Sequence, residues 1–129
     1  MQNLRYVGKN LFVEKLSIKN ILKKNKTPFY IYSESQIAFN FLKFANTFKK
    51  TDPLICFAAK SNSNLNILRV LGKLGAGADV VSGGELLKAL KAGIRPNKIV
   101  FSGVGKTEEE LKIAINKKIL LINCESDSE

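Results

Sequence analysis

A chain of 129 residues that is 45% hydrophobic and 25% charged reads as one soluble globular unit, and no apolar stretch reaches the roughly 20 residues of a bilayer span, so the membrane is excluded as a partner. Lysine and arginine total 21 against 11 for aspartate and glutamate, a net charge of +10; these lysines nonetheless lie scattered in pairs such as Lys23-Lys24, Lys49-Lys50 and Lys117-Lys118, mostly near helix ends where cations complement the dipole, so nucleic acid is excluded as well. Cys56 and Cys124 lack metal-ligand spacing, and the opening residues lack the basic head and apolar run of a signal peptide, which together predict a cytoplasmic protein with reduced thiols and no metal.

In chain order, residues 4 to 16 alternate in a strand-like way and Ser17 to Lys24 suggest a short helix. Phe29 to Tyr32 reads as a strand, with Ser33 as N-cap of an amphipathic helix whose apolar face includes Ile37, Phe41, Leu42, Ala45 and Phe48. Pro53 closes that unit. The apolar run Leu54 to Lys60 is the second strand, and Ser63-Asn64 opens a helix with Leu65, Leu68, Leu71 and Leu74 inward, stopped by Gly75 and Gly77. Ala78 to Val81 is the third strand, followed from Ser82 by a helix with Leu86, Leu87, Leu90 and Ala92 that ends at Gly93. Lys98 to Phe101 is the fourth strand, Thr107 and Glu110 form a capping box on the next helix, and Lys118 to Ile122 is the fifth strand. Glu125 begins a further helix. Five strands alternating with four helices predict parallel βα units, either an open doubly wound sheet or about half of a (β/α) barrel.

Lys60 is the candidate reactive residue. Along a pleated strand Cys56, Ala58 and Lys60 share one face, and a lysine emerging among small neighbours at the end of a buried strand is expected to be partly desolvated, which lowers its pKa. A lysine so tuned attacks an aldehyde to form a Schiff base, and pyridoxal phosphate is the common cofactor held in this way. A strand-end lysine that simply meets solvent is the competing reading. Asp79, in the adjacent strand, is placed to keep a nearby lysine protonated; Glu85 lies in the first turn of a helix, where complementing the dipole is sufficient reason for it. Ser82-Gly83-Gly84 offers backbone N–H groups at a helix start.

Gly103-Val-Gly-Lys-Thr107 imitates a phosphate-binding loop, but the first glycine of that pattern falls on Val100, inside a strand, so the loop is too short to wrap a triphosphate. Gly72-Lys-Leu-Gly-Ala-Gly77 precedes a strand instead of following one and reads as a helix stop.

Three segments together, Cys56-Phe-Ala-Ala-Lys-Ser-Asn62, Gly75-Ala-Gly-Ala-Asp-Val-Val-Ser-Gly-Gly-Glu-Leu86 and Phe101-Ser-Gly-Val-Gly-Lys-Thr-Glu-Glu-Glu-Leu111, resemble the diaminopimelate decarboxylase family in content, order and spacing. Tyr6 to Phe12 and Thr27 to Ser33 are similar to that family's opening segment, so the likeness covers essentially the whole chain. Ornithine and arginine decarboxylases and alanine racemases share the lysine motif but differ in the other two segments.

The resemblance implies a fold type III enzyme using pyridoxal 5'-phosphate. These residues would form about four and a half βα units, the N-terminal part of a TIM-type (β/α)8 barrel, preceded by a strand belonging to a β domain. Residues 1–26 would be the segment associated with that β domain and 27–129 the first half of the barrel. On the same pattern Lys60 is the Schiff-base lysine, Asp79 is the acidic residue near the cofactor, Ala58 lies under it, and Glu85 holds a supporting acidic position. The implied reaction is decarboxylation of meso-diaminopimelate to L-lysine, with a small amino-acid substrate and a homodimer in the complete enzyme. The chain has no histidine, so the family's ring-stacking histidine is not among these residues. Nor are its later glycine-rich phosphate loop, the acidic partner of the pyridine nitrogen, its substrate-binding arginine, or its C-terminal cysteine and tyrosine motifs. The 129 residues alone are therefore expected to be an inactive N-terminal fragment, with open strand edges that favour self-association. Another type III decarboxylase, a non-catalytic pyridoxal phosphate binder and a nucleotide-binding loop protein are the alternatives.

Overall fold

Two sheets of opposite kind organise the chain, and the computed structural model describes residues 3–129 of it. The first sheet is an antiparallel meander of β1 (Leu4–Val7), β2 (Asn10–Val13) and β3 (Leu16–Ser17), in which Leu4 faces Val13 and Phe12 faces Ser17. Gly8, at φ 58°, makes the first hairpin turn, where a left-handed backbone suits glycine. Ser17 then caps a short helix, α1 (Ile18–Leu22), accepting from the Asn20 N–H.

Helix α2 (Glu34–Thr47) starts where the sequence places it, with Ser33 accepting from the Gln36 N–H. The second sheet follows: β4 (Cys56–Ala58), β5 (Gly77–Val80), β6 (Ile99–Phe101) and β7 (Leu121–Ile122) lie parallel and in chain order. Between them run α3 (Leu65–Lys73), α4 (Gly83–Lys91) and α5 (Glu108–Asn116), capped by Asn64, Ser82 and Thr107. The Thr107–Glu110 capping box forms as its spacing predicts.

The pleat divides this sheet into two different faces. Ala78, Val80, Ile99 and Phe101 point to one side and pack with Leu68 of α3, Leu86 and Ala89 of α4 and Ala114 of α5 into one fully buried cluster. Burying a Phe or Leu side chain there contributes about 1.5–3 kcal/mol each before entropy is counted. Strand register places Cys56, Ala58, Gly77, Asp79, Val100 and Leu121 on the opposite side. Among the described residues no helix covers that side: Cys56, Ala58, Asp79 and Val100 are half-buried and Leu121 is exposed.

The structure corrects four expectations. Phe29 to Tyr32 is not a strand, because no neighbour offers it a ladder; these residues instead line a groove with Val13, Ile18 and Ile37, leaving Tyr30 88% exposed. The strand before Lys60 stops at Ala58, and Ala59–Ser61 turns as a 3-10 helix held by the Ser61 hydroxyl on the Ala58 carbonyl at 2.8 Å. The last strand begins only at Leu121, since Lys118 takes a left-handed conformation (φ 53°) directly after the C-cap of α5. Residues 125–129 form a turn rather than a helix, with the Glu129 N–H reaching only the Ser126 carbonyl at 3.2 Å.

Candidate cofactor site

The C-terminal ends of four parallel strands bring the chemistry-bearing residues to one rim. Ala58 ends β4 and stands in register with Asp79 of β5, so a methyl group lies beside a carboxylate on the uncovered face. Lys60 sits two residues further on, in the 3-10 turn. Its direction is set by that turn and not by the pleat, and its side chain is exposed instead of desolvated among small neighbours. The Asn62 N–H on the Ala59 carbonyl, at 3.1 Å, closes the turn, and Ala59 is completely buried under it.

Asp79 is the unusual residue of this rim. Its Oδ1 is buried and has no hydrogen-bond partner, a condition that costs about 1–3 kcal/mol unless something else satisfies it. The carboxylate is also felt by Cys56: burial pushes that thiol up, Asp79 adds to the effect, and Lys98 partly offsets it. Close approach here depends on Gly77, whose hypothetical Cβ would lie 2.3 Å from the Lys98 carbonyl oxygen and 2.7 Å from Cys56 Sγ.

Glu85 turns toward the backbone. Its Oε2 accepts from the Val81 N–H at 2.9 Å while Ser82 Oγ accepts from the Glu85 N–H at 3.3 Å, which fixes the turn that follows Asp79. The Ser82-Gly83-Gly84 amides do not form an open anion cradle, because Glu110 Oε1 accepts from the Gly83 N–H at 2.6 Å. Hydrogen bonds from Gly83 first and Thr107 second hold the Glu110 carboxyl below the ordinary glutamate range, against a smaller desolvation.

Two rim residues escape a reading of the sequence. Ser102 and Asn123 follow β6 and β7, and the Asn123 side-chain amide donates to Ser102 Oγ at 2.9 Å, joining the two strand ends. Each is the first residue after an apolar strand, and Ser102 also lies in a segment that carries the family resemblance. Lys106, which makes the loop look nucleotide-binding, has a side chain only 1% exposed and engaged internally by the Gly103 carbonyl at 2.6 Å and Glu129 at 2.9 Å.

The arrangement can hold an aldehyde-bearing cofactor. It offers a primary amine on a short turn at the rim, a methyl-sized neighbour leaving room on the sheet face, and an unsatisfied carboxylate oxygen beside it. Among the described residues no cluster of metal-ligating side chains occurs and no helix is long and apolar enough to cross a membrane.

Comparison with known proteins agrees with this chemistry. The family described as "Pyridoxal-dependent decarboxylase, pyridoxal binding domain" matches residues 34–129. A diaminopimelate decarboxylase of Aquifex aeolicus is 48% identical over 126 residues, 98% of this chain and 30% of the relative. One from Helicobacter pylori strain J99 is 51% identical over 108 residues, 84% of this chain and 27% of the relative. The crystal structure of diaminopimelate decarboxylase from M. jannaschii in complex with L-lysine superposes with a TM-score of 0.92 at 36% identity, covering 98% of this chain and 31% of that one. The chain thus spans about 30% of the length of the curated relatives it matches. Its fold is the N-terminal part of a TIM-type barrel. With a matched family segment that contains Lys60, Asp79 and the whole parallel sheet, the chain belongs to the pyridoxal-dependent decarboxylase family.

Proposed function

We propose that this chain supplies the lysine-bearing part of a pyridoxal phosphate site in an enzyme that decarboxylates meso-diaminopimelate to L-lysine. The observation that carries the reading is the buried, partnerless Oδ1 of Asp79, in register beside Ala58 at the strand ends where Lys60 emerges. Support for the substrate comes from the relatives named diaminopimelate decarboxylase and from the L-lysine bound to the M. jannaschii protein.

In this reading Lys60 Nζ is the point of covalent attachment, and its exposure gives the cofactor direct access. Ala58 presents only a methyl group, so a flat ring can approach the sheet. Asp79 places a carboxylate on the strand next to the one that leads into the Lys60 turn. Glu85 acts on the backbone, keeping the turn after Asp79 from shifting. The cofactor, when bound, supplies an electron sink for the carbanion left as carbon dioxide departs.

Residues 1–26 are assigned to a segment associated with a β domain and 27–129 to the barrel. The complete enzyme is read as a cytoplasmic homodimer. The 129 residues by themselves are expected to lack activity, since they span about 30% of the relatives and contain no histidine.

The test is incubation of the purified chain with pyridoxal phosphate, borohydride reduction and peptide mapping. A label concentrated on Lys60 supports the site. Labelling spread over many lysines, or none, overturns it for this chain. Carbon dioxide release from meso-diaminopimelate by these 129 residues alone would overturn the expectation of inactivity.

A further inference from the structure

Two helix starts of the parallel array, those of α4 and α5, share a pattern in which a Ser or Thr N-cap is followed three residues later by glutamate: Ser82 and Glu85, Thr107 and Glu110. The second glutamate does more than cap its own helix. Glu110 Oε2 accepts from the Thr107 N–H at 3.0 Å, while Oε1 reaches across to the preceding unit and accepts from the Gly83 N–H at 2.6 Å. Gly83 is buried, and a Cβ added there would lie 2.9 Å from Glu110 Cγ, so a side chain at this position would displace the Glu110 side chain. Ser126 and Glu129 repeat the spacing, and Glu129 likewise reaches back to the preceding loop, pairing with Lys106 at 2.9 Å.

The Gly83 contact falls four residues after Asp79. Between the two, the Val81 N–H is held by Glu85 at 2.9 Å and the Val80 carbonyl accepts from the Ser102 N–H at 2.8 Å. The chain leaving Asp79 is therefore tied at three successive points: to β6, to its own helix, and to the first turn of α5. A carboxylate shared by two amide donors in partly buried surroundings makes stronger bonds than a neutral acceptor and fixes distance as well as direction.

We propose that Glu110 is a positioning residue of the cofactor site, locking the Val81–Gly83 turn and through it Asp79 at the rim. The proposal rests on the reading that Lys60 takes pyridoxal phosphate. It also accounts for the glycine at position 83 and closes the α4 N-terminus to other anions.

The test compares Glu110→Gln and Gly83→Ala with Thr107→Ala in the 129-residue chain. Thr107→Ala removes the α5 cap but leaves the Thr107 and Gly83 amides free to bind Glu110. At matched fraction folded, measured by circular dichroism, two quantities are followed: hydrogen exchange of the Gly83 amide, and the pyridoxal phosphate concentration giving half-maximal borohydride-trapped label on Lys60. Glutamine keeps one carbonyl acceptor but turns an NH2 toward the second donor. Glu110→Gln and Gly83→Ala are expected to speed Gly83 exchange and to raise the half-labelling concentration by about tenfold, with Thr107→Ala leaving both near wild type. Equal losses in all three variants would reduce Glu110 to a helix cap and overturn the positioning role. Unchanged Gly83 exchange in Glu110→Gln would overturn the contact itself. Absence of Lys60 labelling in the wild-type chain would overturn the cofactor reading and the positioning role with it, and Gly83 exchange would still judge the contact independently.

Discussion

The antiparallel N-terminal region and the parallel array are held together by different forces. Every buried hydrophobic side chain among the described residues lies between Ala59 and Ala114, whereas β1 and α2 bury none, with Leu4 57% and Tyr30 88% exposed. What secures the N-terminal region to the helix that follows is polar. Glu14 Oε1 accepts from Ser33 Oγ at 2.6 Å, Ser35 Oγ at 2.8 Å and the Ser35 N–H at 3.0 Å, and Asn3 donates to Gln36 at 3.1 Å. Apolar area scales with stability, while hydrogen bonds mainly fix geometry. The array is therefore the stable body, and the meander is oriented on it more than it is welded to it.

The sharpest way to break this contrast is to delete volume in each region. Phe101→Ala, at a fully buried position, is expected to cost ~3–5 kcal/mol in urea unfolding, against a change within about 0.5 kcal/mol for Tyr30→Ala. Similar losses at both sites would mean that the N-terminal region shares the core after all. Next in size is Gly77→Ala, whose methyl group would collide with the Lys98 carbonyl and Cys56 Sγ; a loss of about 1–3 kcal/mol is expected from forcing β4, β5 and β6 apart. An unaltered urea midpoint would show that the sheet gives way freely at that point.

Acid probes the polar side of the comparison. The Ser33 hydroxyl first, then the Ser35 amide and hydroxyl, hold the Glu14 carboxyl below the ordinary glutamate range. Its folded-state pKa is thus depressed, so its contribution is complete above the unfolded value and is lost as pH falls through the folded one. Glu14→Gln should lower the urea midpoint at neutral pH and converge on wild type in acid; a constant gap between the two curves would assign the effect to something other than this carboxylate. The smallest effect belongs to the Glu108–Lys112 pair, 2.6 Å apart with side chains 76% and 66% exposed, where Lys112→Ala should change stability by no more than about 0.5 kcal/mol.

Much of the array is legible from local chemistry. Ser17, Ser33, Asn64, Ser82 and Thr107 all cap helices at the places their side chains indicate, because an N-cap bond is made within three residues of its own position. The same locality explains the failures. Phe29 to Tyr32 has the composition of a strand, yet a strand exists only where a neighbour accepts its hydrogen bonds. In α4, Leu87 is 50% exposed, while Ala89, too small to stand out in a periodicity, is fully buried against the sheet.

The candidate site divides along the same line. By itself the sequence determined the order of βα units, the helix caps and the placement of Lys60 and Asp79 near the C-terminal ends of neighbouring strands, since each follows from the apolar period and from short-range hydrogen bonding. Only the tertiary structure decided that Lys60 leaves the pleat in a 3-10 turn, that Asp79 Oδ1 is buried without a partner, and that Glu110 reaches 27 residues back to Gly83. The last two depend on how neighbouring units pack, and the first on where the β4–β5 ladder ends. Side chains distant in sequence meet there, and no local spacing records the distance between them.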